Sequence, residues 1–215
     1  MLNGTLNGLE EAVAINEGLQ GDGSAVLEST ELEIFENKQY LSEVDEMRIN
    51  ETSEIMTEVF SEDVIANWSE LSLDEKSEKI NEYYIKAGEN LGINTKGVIV
   101  EYMPSEPGSV NLGYNAGDGF IHLNEAVVDD PGMLEQVLDT ATHEMRHQFQ
   151  SDVIANASKF PDIPDHVVET WGYEMKNYIS PDYDYQSYYE QAVECNARDF
   201  AEDVLKSYLD KMNLK

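Results

Sequence analysis

The sequence predicts an α+β fold that is mainly helical, with a small antiparallel sheet or hairpin beside one long helix. Three observations predict it. A capped amphipathic helix opens at Ser72, three β-rich runs lie between Gly97 and Asn124, and a long helical pattern follows Asp130-Pro131. The 215 residues suffice for one domain with an appended arm, and a 41% hydrophobic content allows a core.

Residues 1–40 are rich in Gly, Asn, Glu and Ser and read as an acidic N-terminal arm or linker, which leaves 41–215 as the folded domain. Helical spacing runs over 43–59 through Val44, Met47, Ile55, Met56 and Val59, and a short helix is predicted around Asp63–Trp68. Ser72 and Glu75 form a capping box, in which each side chain satisfies the other's backbone N–H. Leu73, Ile80, Tyr84, Ala87 and Leu91 continue that helix, and Gly92 is placed to end it in a left-handed cap. Gly97–Met103 is a β-rich run stopped by Pro104. Val110–Asn115 and Gly119–Asn124 flank an Ala-Gly-Asp-Gly turn and predict a hairpin. Asp130 then reads as N-cap and Pro131 as the first residue of the long helix. The last helix is read from Tyr188 onward, with Val193, Ala197, Phe200, Ala201, Val204, Leu205 and Tyr208 as its apolar face.

The charge balance is the compositional outlier. Forty-four acids face 13 bases, a net charge of −31. Such a chain repels phosphate backbones and anionic lipid, so nucleic-acid and membrane-surface partners are excluded. Residues 1–70 alone hold 17 acids and 2 bases. The single cysteine, Cys195, excludes an internal disulfide framework and a Cys-rich zinc site. No run of about 18 apolar residues is present. The N-terminus lacks a basic n-region and a long apolar h-region, so the expected location is cytoplasmic, or exported by a non-Sec route.

The long helix contains His143-Glu144-Met145-Arg146-His147, an H-E-x-x-H pattern. Histidines four apart lie about 40° apart, one turn above each other, so both imidazoles can reach one Zn²⁺ at about 2.0–2.1 Å. Glu144 points beside them, where it can take a proton from a metal-activated water. Chance would supply roughly 0.01 such patterns in a chain of this composition. With His143 at 0°, Leu134, Val137, Leu138, Ala141, Met145 and Phe149 fall at about 120–240°, opposite the histidines. Two surface histidines on a polar face are the bland alternative.

A catalytic zinc site needs a third protein ligand and an open position. Glu194 on the last helix faces inward, and an inward acid needs a partner such as a metal. Glu190, one turn earlier on the same predicted helix, is the alternative ligand. Pairing with Arg146, Lys or backbone donors is the competing role for both. Arg146 could stabilise an oxyanion, although a carboxylate partner suits so acidic a chain better. Tyr188 and the loop residue His166 are candidates to stabilise a transition state, and Gln150 is placed to support His147.

These pieces resemble the HExxH zinc metallopeptidases in which a Glu on a later helix is the third ligand. Glu194, Ala197, Phe200 and Ala201 match the E-x-x-A-x-x-F-A helix of the ImmA/IrrE-type peptidases. From about Trp68 to Leu209 the chain more closely resembles the metallopeptidase domains of bacterial polymorphic toxins. The shared pieces are Leu91-Gly92-Ile93, Ile121-His122-Leu123-Asn124, the His143–Gln150 helix and Tyr188/Gln191/Glu194. The resemblance implies a zincin-like fold, His143, His147 and Glu194 as ligands of one Zn²⁺, and Glu144 as general base. It further implies an edge strand that binds extended peptide, for which Gly119–Asn124 is the candidate. No third histidine follows at metzincin spacing, and the long subdomains of thermolysin-like enzymes are lacking.

The expected function is zinc-dependent hydrolysis of a peptide or protein substrate. The rival is an acidic protein-binding module, or an inactive zinc-binding pseudo-peptidase, that engages a basic partner. A third reading is an effector peptidase whose arm serves delivery or inhibition through a delivery module or cognate inhibitor.

Overall fold

The computed structural model describes residues 45–104 and 110–213. The predicted arm at 1–40, its boundary and Val44 lie outside the described residues. Helix α1 covers 45–59 and is followed by α2 (Glu62–Ala66), a 3-10 turn at Trp68–Glu70 and α3 (Leu73–Leu91). Met56 and Val59 are buried as the spacing requires, whereas Met47 is 66% exposed and falls off the apolar face. The Ser72/Glu75 capping box forms in full, and Gly92 closes α3 in the left-handed region at φ 72°.

Three strands follow: β1 (Gly97–Glu101), β2 (Gly113–Asn115) and β3 (Phe120–Asn124). β2 and β3 form the predicted antiparallel pair, with Tyr114 opposite His122. β1, however, pairs with β3 in parallel, Ile99 opposite His122, so the sheet is mixed in the order β1-β3-β2. This corrects two expectations. The sheet is not purely antiparallel, and Gly119–Asn124 is not an edge, because β3 is hydrogen-bonded on both sides. Its alternation explains the central place: Ile121 and Leu123 turn into the core while His122 turns outward. The outward His122 pairs with Glu101 at 2.8 Å and stacks on Tyr114. A Cβ at Gly113 would lie 2.6 Å from the His122 carbonyl and 3.0 Å from Thr140, so glycine lets β2 approach both β3 and the next long helix.

A short α4 (Glu125–Asp129) intervenes before Asp130, which caps a 3-10 turn at Pro131–Met133. That turn leads into α5 (Leu134–Ala155), which contacts the sheet, α3, α6 (Asp165–Lys176) and α8 (Ala192–Lys211). The predicted last helix is broken. α7 (Tyr185–Tyr189) ends at Glu190, and Gln191 is extended at ψ 136° before α8 begins. Among the described residues no helix is long and apolar enough to cross a membrane.

Most of α5 is buried on every side. Within 141–150, His143 and His147 alone escape full burial. Its polar groups therefore need partners from other elements. Thr142 meets the Tyr83 hydroxyl of α3 at 2.8 Å, and Gln148 accepts the Gly119 N–H at 3.0 Å. Arg146 is fully buried, ion-paired with Asp45 of α1, and donates from Nε to Asn196 of α8 at 2.8 Å. Removing one member of a buried ion pair strands the other charge, at a cost of about 3–5 kcal/mol. Asp45→Ala is expected to lower unfolding stability by that amount in urea denaturation. Wild-type stability in this variant would show that the pair does not hold α1 to α5.

Candidate metal centre

His143 and His147 present their Nε2 atoms from one face of α5, 3.0 Å apart. Glu194, in the first turn of α8, brings Oε1 to 3.3 Å from His147 Nε2 and Oε2 to 3.5 Å from His143 Nε2. Tetrahedral zinc bonds of about 2.0–2.1 Å would put neighbouring donors about 3.3 Å apart. The three separations straddle that value. Glu194 is 1% exposed, and its Oε2 is a buried oxygen with no hydrogen-bond partner. A buried orphan carboxylate oxygen between two imidazoles fits a cation. The donor set, two histidines and one glutamate, is one that zinc takes in catalytic sites. Among the described residues, no fourth His, Cys, Asp or Glu joins this group.

The surrounding residues fix the donors. Gln150 Oε1 lies 2.8 Å from His147 Nδ1. Assigning the imidazole proton to Nδ1 makes Gln150 its acceptor and leaves the Nε2 lone pair facing the centre. Gln150 is held in turn, because its amide donates to Val193 O at 2.9 Å and to Asn196 Oδ1 at 3.0 Å. The Tyr178 hydroxyl donates to Glu194 Oε1 at 2.7 Å. Tyr178 is placed by Gln191, whose amide oxygen accepts the Ile179 N–H at 2.9 Å and whose NH₂ donates to Ile179 O at 3.1 Å.

Electrostatics separates the two glutamates. Burial alone would raise the Glu194 carboxyl, but the adjoining imidazoles of His143 and His147 outweigh it and hold it well below the usual carboxylate range. Burial also raises Glu144, and there it prevails: the histidines pull it down only in part, and the Glu194 charge adds to the rise. For His147, burial opposes the charged form, yet the Glu194 hydrogen bond, the charges of Glu144 and Glu194, and Gln150 carry it up to about 9. Metal uptake must displace that proton. Tyr178 and Tyr188 are both raised, first by burial and then by the Glu194 charge.

The other sequence candidates land elsewhere. Arg146 points away from the donors into a cage of Phe149 and Phe200, 4.4 and 4.6 Å from the ring centres, so it is a core cation and not an oxyanion donor. Glu190 is exposed and accepts from Gln186. The break at Gln191 takes it off the face that Glu194 occupies, and it does not join the group of His143, His147 and Glu194. His166 sits in the first turn of α6, not on a loop, and is exposed outside the three-residue group. Tyr188 belongs to α7, and the Glu194 carboxylate influences its hydroxyl. Sequence reasoning missed Tyr178, Asn196, Asp45 and Asp139. Only Asp139 carried a local signal, one turn before His143 on the same face.

Comparison with protein-family models, with curated proteins and with solved structures returns no match.

Gln150→Leu is expected to weaken zinc binding about 10- to 100-fold, read by competition with a chromophoric chelator. Unchanged affinity would remove Gln150 from the centre. Asp139 gives a pH test. Its carboxyl is pushed up to about 6, by burial first and by the Glu202 charge, with His143 opposing. A raised folded pKa means that Asp139 costs stability in full above about pH 6, that the cost shrinks as pH falls below that value, and that it is gone only below the ordinary carboxylate value of about 4. In metal-free protein, Asp139→Asn should stabilise the fold by about 1–3 kcal/mol at pH 8 and progressively less toward pH 4. Equal gains at both pH values would contradict this.

Proposed function

We propose that the protein is a zinc-dependent metallopeptidase of HExxH type and zincin-like architecture. In this reading His143, His147 and Glu194 hold one zinc ion and Glu144 is the general base. One observation carries the reading: three donors of a catalytic zinc set converge at tetrahedral spacing, with a buried Glu144 beside them and no fourth protein donor among the described residues. Zinc, when bound, polarises a carbonyl and lowers the pKa of water.

The chain's own residues do the rest. Glu144 follows His143 directly on α5, so its carboxylate reaches the space in front of the donors from the side. It takes a proton from the attacking water on a carboxylate oxygen and delivers it to the leaving amine nitrogen. Burial suits it to both steps, because a raised pKa brings its proton affinity closer to neutral pH. Glu194 stays ionised and offsets one charge of a divalent ion. Gln150 and Tyr178 restrict rotation of His147 and Glu194, so the donors need little reordering. With β3 enclosed, β2 is the edge strand against α5, and extended substrate adds there instead.

Metal analysis should find one zinc per chain, lost in His143→Ala and Glu194→Ala. Glu144→Gln should keep the zinc and lower kcat on a cleaved peptide about 10²- to 10⁴-fold. Protein that neither binds zinc nor is stabilised by it would overturn the reading. Full activity in Glu144→Gln would remove that residue from the chemistry.

A further inference from the structure

A run of tyrosines leads outward from the centre. From Tyr178, which touches Glu194, the ring of Tyr188 lies 6.1 Å away edge-on. Tyr188 is 6.1 Å from Tyr185, and Tyr185 stacks on Tyr189 at 6.1 Å with 28° between the planes. These rings do not fill a core: Tyr178, Tyr185 and Tyr189 are 46%, 56% and 43% exposed. Tyr185, Tyr188 and Tyr189 all belong to the single short helix α7, so with Tyr178 they form one aromatic patch beside Glu194.

The charge on this segment has one sign. Residues 177–190 contain five tyrosines, three acids (Asp182, Asp184 and Glu190) and no base. All three acids are exposed. The outer end already holds a cation. The Arg198 guanidinium lies 3.6 Å from the Tyr189 ring centre and donates to Tyr189 O at 2.7 Å. Aromatic faces attract guanidinium and ammonium groups, and acids beside them add Coulomb attraction while disfavouring anionic chains.

We infer that the substrate is a cationic peptide, with Lys or Arg near the scissile bond lying against Tyr178, Tyr185, Tyr188 and Tyr189. This rests on the metallopeptidase reading of the adjoining centre. The acids at 182, 184 and 190 meet the charges while the rings cover the aliphatic stems and flat guanidinium faces. A neutral Gln-bearing peptide offers no charge to the ring faces or to the carboxylates, of which Asp184 accepts from Ser187 and Glu190 from Gln186, both uncharged donors. The overall charge of −31 favours approach of cationic chains in general, and the tyrosine segment adds its own three acids.

The test uses the full chain carrying Glu144→Gln, so that binding is read without turnover. A fluorescent peptide bearing three Lys/Arg residues is compared with its twin carrying Gln at those positions, by anisotropy at low and high salt. The basic peptide should bind at least about tenfold more tightly at low salt and lose most of that advantage at high salt. Tyr185→Leu and Tyr189→Leu should each weaken the basic peptide about two- to fivefold and leave the twin unchanged. Equal binding of the two peptides, no binding of either, or indifference to both tyrosine variants would overturn the inference. Cleavage by the wild type separates the two claims. Neutral peptides cleaved as fast as basic ones would overturn the cationic preference and leave the peptidase. Tyrosine-dependent binding of the basic peptide by a protein without zinc would support the surface and overturn the peptidase.

Discussion

Arg146 is a guanidinium with no exposure to water, and satisfying it fixes much of the rest. An unpaired charge at such a position would cost several kcal/mol, a large share of a typical domain's stability. Asp45 supplies the countercharge from α1, which ties the start of the described chain to the middle of α5. Phe149, Trp171 and Phe200 enclose the planar group from three elements. The remaining Nε–H goes to Asn196 Oδ1, the oxygen that also accepts from Gln150. Gln150 then reaches His147 Nδ1. The hydrogen bonds that bury Arg146 thus run on without interruption to a proposed metal donor. The geometry of the centre is a property of the core and does not depend on a mobile surface pair of histidines.

The same core explains why two glutamates fifty residues apart behave differently. Both are buried, and burial raises both. Glu194 has two imidazoles at 3.3 and 3.5 Å and accepts from a tyrosine hydroxyl, and these favour its charge. Glu144 lies beside the imidazoles and meets the Glu194 charge without such direct partners. Environment therefore shifts one residue type in opposite directions, and in the proposed reading that separation suits Glu194 to a metal and Glu144 to a proton.

Local signals in the sequence were reliable where the physics is local. The Ser72/Glu75 box, the Gly92 cap and the H-E-x-x-H face all depend on residues within one or two turns, and each formed as spaced, whereas Asp130-Pro131 opens a 3-10 turn and the long helix itself starts only at Leu134. Glu194 was legible because an inward acid on an apolar helix face is rare. The parallel pairing of β1 with β3 was not legible, since strand order is set by which edges meet and not by alternation within a strand. Nor was the break between α7 and α8. Gln191 leaves helical geometry there while its side chain binds both backbone groups of Ile179, twelve residues earlier. That long-range clamp delivers Tyr178 to Glu194 and takes Glu190 away, so both outcomes were hidden together. Asp45 and Arg146 are 101 residues apart, and no pattern in either helix names the other.

The acidity that dominates the composition acquires a direction from this arrangement. Only 13 bases exist, and many are spent on internal contacts. Arg146 is in the core, Arg48 bridges Asp45 and Asp162, Lys76 caps the end of α4 through Asp129 O, Lys86 joins Glu58 to Glu82, and Arg198 is stacked on Tyr189. Segment 177–190 carries three exposed acids and no base. In the proposed reading, a divalent ion between two imidazoles and a carboxylate and a basic side chain on the neighbouring tyrosines are the two places where the excess of acid is met. That excess, which by itself excludes partners without selecting any, becomes selective where rings and donors accompany it.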